Sequence, residues 1–161
     1  MNSNLMRQLI PFLIFYFCFY LPFIFLKKRK EWKLYTLIYL YLLFVYWMTL
    51  FPFSIHQFHL RIRPTQLNLH PFLDVYLKTK YASLEILLNI LLFFPLGWLI
   101  HKRKGAHPWS SLLYCVNISL LIETLQLFFT FHRIADITDI LTNSFGALLG
   151  ISLLMIQKKS R

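Results

Sequence analysis

Five carboxylates carry most of the chemical promise of this 161-residue chain, which has six acidic residues in all. They are Asp74, Glu85, Glu123, Asp136 and Asp139. In apolar surroundings a carboxylate can ligate a hard divalent cation, serve as a general acid or base once its pKa is raised, or pair with a cation. Amides accompany them: Asn68, Asn89, Gln126 and Asn143. Arg133 is the nearby base, and its planar guanidinium suits a carboxylate or a phosphate.

The spacing predicts shared helix faces. Glu85 and Asn89 are four apart, one above the other on a helix. Ser119, Glu123, Gln126 and Thr130 form one narrow stripe. Asp136, Asp139, Asn143, Gly146 and Gly150 fall within an arc of roughly 80° at helical periodicity. Gly146 and Gly150 make a GxxxG pattern that admits a close neighbouring helix, so this stripe is expected to face protein. Asp136 could also cap a helix, with Asp139 at its third position. Capping does not account for Glu123, which lies a turn or more inside an apolar run. An acid at the centre of a membrane helix costs about 2.5–3.5 kcal/mol on insertion scales, so a compensating partner is required.

The elements that hold these residues are set by an apolar composition. The chain is 58% hydrophobic and only 14% charged, which excludes an ordinary soluble domain. Crossing the hydrocarbon takes about 20 mostly apolar residues. Five stretches qualify: Leu5–Leu26, Leu34–Phe53, Leu84–Ile100, Ser111–Phe131 and Ile137–Ile156. The expectation is an all-α, polytopic membrane helix bundle. The first run is too long for a signal core and lacks a small-residue cleavage site, so a retained helix is expected. Pro95 is expected to kink the third span. The longest connection, Ser54–Ser83, ends in an aromatic and charged stretch, Phe72–Tyr81, expected to lie in the interface.

Lys and Arg set the orientation. Eleven fall in the first loop, the third loop and the C-terminal tail, against six in the alternate set. The N-terminus is therefore expected outside and the C-terminus in the cytoplasm. In that orientation all five carboxylates lie on or next to the outer ends of helices. A net charge of +11 would suggest nucleic acid in a soluble protein. Here the basic clusters flank apolar runs, which makes membrane lipid the expected partner and nucleic acid not one.

Other features are weaker. His56 and His59 could start a metal site, but a third ligand is missing nearby; His132 could join the acidic cluster. Cys18 and Cys115 sit in apolar runs as small hydrophobes. Trp47, Trp98 and Trp109 fall near span ends, as belt residues do. Nucleophile-elbow, P-loop and zinc-protease patterns are absent.

Four blocks carry a resemblance. Leu67-Asn68-Leu69-His70-Pro71-Phe72, Asn89 through Gly97 (NILLFFPLG), Ser119 through Gln126, and Arg133 through Gly150 (RIADITDILTNSFGALLG) occur in this order. They resemble the N-(L/I)-x-P-F, N-(I/V)-x-x-F-x-P-x-G, S-x-x-x-E-x-x-Q and R-x-x-D-(I/V)-x-D-(I/V)-x-x-N-x-x-G segments of the VanZ-like family. Thr138 departs from the pattern, since many members carry an acid there, which lowers the expectation of metal. The blocks place a VanZ-like domain with three transmembrane helices over 61–161, and the first two predicted spans, over 1–60, lie outside them. It implies a multi-pass protein of the bacterial cell membrane, implicated in low-level resistance to glycopeptide and lipoglycopeptide antibiotics, notably teicoplanin. It implies no particular chemical mechanism.

Three functional readings follow. In the first, Asn68, Glu85, Asn89, Glu123, Gln126, Arg133, Asp136, Asp139 and Asn143 line an outer-leaflet polar site. That site binds an amphiphile, such as a lipid-linked cell-wall precursor or a lipoglycopeptide, without a cofactor. In the second, the carboxylates hold a divalent metal or act as acid and base in an enzyme acting on a lipid phosphate. In the third, the cluster only joins helices within an envelope complex.

Overall fold

A computed structural model describes residues 31–50, 67–78, 81–129 and 135–160. Their elements in order are α1 (Trp32–Leu50), β1 (Leu67–Asn68), α2 (Leu73–Tyr76), α3 (Ala82–His101), α4 (Pro108–Phe129), β2 (Ala135–Asp136) and α5 (Ile137–Lys159). Helix dominates because a backbone in hydrocarbon must satisfy its own hydrogen bonds. Among the described residues α1, α3, α4 and α5 are long and apolar enough to cross a membrane. They correspond to the second to fifth predicted spans and confirm the all-α membrane bundle. The first predicted span, Leu5–Leu26, lies outside the described residues, as do His56, His59 and Cys18.

Local chemistry fixes the boundaries. Between α3 and α4 the chain turns through Gly105, whose φ of 72° suits a residue without Cβ. Pro108 opens α4, where its missing N–H would have had no helical partner anyway. α5 starts at Ile137, as the periodicity predicts, because Asp136 is extended and caps it. Within the stretch expected to lie in the interface, residues 73–76 form the single turn α2.

The tightest contact is between α3 and α5. A Cβ added at Gly146 would meet the Ile90 carbonyl oxygen, and one added at Gly150 would meet that of Phe94. Gly97 faces the Ala147 backbone in the same way. The GxxxG pattern thus does what its spacing predicts. The core around this seam contains Val45, Phe93, Leu96, Ile100, Cys115, Ile122 and Ala147, so α1 and α4 pack on the same centre.

α3 runs as helix through Pro95, which leaves the Leu91 carbonyl without its usual donor. The next carbonyl, of Leu92, accepts a 2.8 Å hydrogen bond from the Tyr41 hydroxyl and so ties α1 to α3. The two short strands pair in parallel, Leu67 with Ala135 and Asn68 with Asp136. This pairing was not legible in the sequence, and it lays the 67–76 segment over the start of α5.

Candidate functional site

Asp136 is the hub of the site. Its Oδ1 accepts from the Thr138 backbone N–H at 2.7 Å and its Oδ2 from Asn68 Nδ2 at 2.9 Å. Its own N–H donates to Glu123 Oε2 at 3.1 Å. One residue therefore joins β1, α4 and α5 through hydrogen bonds to charged groups, which are stronger than neutral ones. The compensation required for buried acids begins here. Glu123, only 4% exposed, faces a backbone donor. Asp136 and Asp139 also sit at the positive end of the α5 dipole.

The amides work as cross-ties. Asn89 Nδ2 donates to Asp139 Oδ1 at 2.7 Å, bridging α3 and α5. Gln126 Nε2 donates to the Thr49 carbonyl at 3.0 Å, bridging α4 and α1. Asn143 Nδ2 donates to Ser119 Oγ at 2.9 Å, and its buried Oδ1 accepts no hydrogen bond among the described residues. The 67–76 segment is pinned from above. The Phe72 N–H donates to Thr138 Oγ1 at 2.9 Å, and the His70 N–H to Asn68 Oδ1 at 3.1 Å. Phe72 has a φ of 59°, a left-handed conformation that costs a side-chain-bearing residue about 1–2 kcal/mol. Its bond to Thr138 helps offset that.

Beside the hub lies a cavity of about 990 Å³. Its lining includes the polar side chains of Asn68, Asp74, Glu85, Asn89, Gln126, Asp136 and Asp139. It also includes Tyr41, Phe44 and Met48 of α1 and Leu88, Leu91 and Leu92 of α3. Such a space suits a molecule with a hydrogen-bonding head and an apolar tail.

Six of the nine residues singled out in the sequence meet at this wall: Asn68, Glu85, Asn89, Gln126, Asp136 and Asp139. Glu85 is exposed. Glu123 and Asn143 are 4% and 3% exposed and act instead as ties between helices. Arg133 lies outside the described residues, as do Thr130 and His132. Sequence reasoning missed Tyr41 and Thr49 of α1, which carry no charge and belong to a different span. It treated Thr138 only as a departure from the family pattern, whereas its hydroxyl receives the Phe72 N–H. Among the described residues, no group of three His, Cys, Asp or Glu side chains could hold a metal ion.

Comparison with known proteins identifies the family. The family model VanZ/LLP1 matches residues 38–158. Protein VanZ of Enterococcus faecium is 31% identical over 129 residues, covering 74% of this chain and 72% of that protein. No solved structure matches. The family match takes in α3 and α4 whole and α5 to its last residue but one, with the cross-ties and every residue that lines the cavity. The chain is a membrane protein and belongs to the VanZ/LLP1 family.

Proposed function

We propose that this is a multi-pass protein of the bacterial cell membrane whose cavity binds an amphiphile in the outer leaflet. The occupant is a lipid-linked cell-wall precursor or a lipid-bearing glycopeptide, and the outcome is low-level protection against antibiotics of the teicoplanin type. The observation that carries this reading is that one cavity of about 990 Å³ is lined both by carboxylates and amides and by apolar side chains of α1 and α3. Charge counting supports the orientation, with the basic loops in the cytoplasm and the acidic end outside. Glycopeptides meet their precursors on that outer side.

In this reading the head of the ligand donates to the carboxylates of Asp74, Glu85 and Asp139, and its chain lies along Phe44, Met48 and Leu91. Arg133, beside the hub in sequence, supplies a cation for a phosphate or a carboxylate of the ligand. The test is protection in cells expressing the chain. Sensitivity to a lipid-bearing glycopeptide should fall more than sensitivity to one without a lipid tail. Asp139→Ala and Arg133→Ala should abolish that difference at unchanged protein levels. Asp139→Asn keeps the shape and removes the charge. Full protection by the Asn variant would sink any role for the charge, and unaffected protection in both alanine variants would sink the site.

A second reading is favoured by one observation, the Asn89-to-Asp139 bridge between α3 and α5. In that reading the cluster serves only to join helices. It predicts that protection tracks stability across variants, whereas the binding reading predicts stable variants without protection.

A further inference from the structure

The side of α4 turned away from the cavity carries its own pattern. The buried face of this helix bears Ser111, Cys115, Ser119, Glu123 and Gln126. The opposite face places Ser110, Leu113, Asn117, Leu120 and Thr124 at alternating steps of three and four residues. That is the a/d repeat of a left-handed helix pair, with polar side chains at every a position and leucines at d. All five are exposed, Leu113 and Leu120 by 61% and 44%.

Asn117 gives the seam its meaning. It falls at the middle of the apolar window Pro108–Leu127, and hence at the midplane of the hydrocarbon. Ser110 and Thr124 satisfy their hydroxyls within the helix, on the His107 carbonyl at 2.9 Å and the Leu120 carbonyl at 2.7 Å. The amide of Asn117 makes no such bond within the described chain. An exposed amide at the bilayer centre calls for a polar partner, and none comes from lipid tails.

We propose that this face of α4 is the interface of a homodimer, with Asn117 hydrogen-bonded to Asn117 of a second copy. Copies of one membrane protein insert with the same orientation, so the two α4 helices run parallel about a two-fold axis along the membrane normal. In a parallel pair each a residue meets its own equivalent. The three polar layers therefore coincide, and an amide, being both donor and acceptor, is complementary to itself. The chain's own first apolar run offers no matching set, since Tyr16 is the polar residue nearest its middle. Pairing through this face leaves the cavity side of α4 untouched.

The test uses the full chain in liposomes, with Cys18→Ala and Cys115→Ala as background. Leu113→Cys and Leu120→Cys should each give a disulfide-linked dimer on mild oxidation. Leu148→Cys, exposed on α5, should not. Subunit counting at decreasing protein density should show a reversible dimer. Asn117→Leu should weaken it by roughly 3- to 30-fold, the range of one interhelical hydrogen bond in lipid, while Asn117→Gln keeps it. Monomers at every density would overturn the proposal. So would equal dimerisation by the Asn117→Leu variant, or an intrachain link between Leu113→Cys and Tyr16→Cys in place of the dimer.

Discussion

The two halves of the α3–α5 seam are built on opposite principles. In the C-terminal halves of the two helices, Gly97 lies against the Ala147 backbone and Gly150 against the Phe94 carbonyl, among Phe93, Leu96 and Ile151. Backbone meets backbone there, and the stabilisation is van der Waals contact between closely approaching helices. At the other end the same two helices are linked by Asn89 and Asp139 side chains, and the cavity opens beside them. Backbone contact makes a closed seam, while hydrogen bonds between longer side chains hold helices together and still leave room for a guest. The glycine half is therefore expected to determine whether the protein folds, and the amide–carboxylate half what it binds.

The sharpest way to break that contrast is to fill the glycine half. Gly150→Leu puts a side chain where even a Cβ meets the Phe94 carbonyl oxygen. It should destabilise the bundle by about 3 kcal/mol or more. Thermal unfolding in detergent micelles would show this as a large drop in Tm, with expression lost in cells. A variant as stable as the parent would mean that α3 and α5 do not approach this closely.

A smaller effect is expected from the polar half. Asn89→Leu removes the donor to Asp139 and should cost about 1–3 kcal/mol, because a carboxylate loses a hydrogen bond. Adding Asp139→Leu should recover part of that loss, since an apolar pair leaves less polar surface unsatisfied. Under the binding reading the double variant is folded and no longer protects. Retained protection in that variant would erase the proposed division of labour.

The smallest effect belongs to the cap. Asp136→Ala removes the acceptor of both the Thr138 N–H and Asn68 Nδ2 and should lower stability by about 1–3 kcal/mol, of which Asp136→Ser, which can still accept from the Thr138 N–H, should recover the cap's share of about 1 kcal/mol. Hydrogen exchange of the first turn of α5 would report it directly. Unchanged exchange in the alanine variant would show that the cap contributes little beside the rest of the hub.

What could be read from the sequence and what could not separates along the same line as local and distant interactions. The span boundaries were legible because hydropathy and capping act within a few residues. Ile137 begins α5 in both the periodicity and the structure, since Asp136 caps from the adjacent position. The close approach of α3 was legible from Gly146 and Gly150 because a bare helix face has one use in a membrane. The shared depth of Glu85, Glu123 and Asp139 followed from topology. Their separate duties did not: Glu85 borders a cavity, Glu123 binds a backbone N–H, and both look alike as acids in apolar helices. The parallel pairing of 67–68 with 135–136 leaves no periodicity to detect. The Thr49 partner of Gln126 is a main-chain oxygen, which any residue type would supply.

That strand pairing also imposes an order of assembly. Asn68 and Asp136 are 68 positions apart, with two whole spans between them. Synthesis delivers the earlier partner first, and the ring cannot close until α3 and α4 have both entered the bilayer and the start of α5 has emerged. Closing so long a loop costs entropy that only the finished contacts return. Until then, Asn89 and Glu123 wait in the membrane without the carboxylate and the N–H they will bind. The hub is thus a late checkpoint of biogenesis, and a nascent chain halted before Asp136 holds most of the wall of the cavity but none of its keystone.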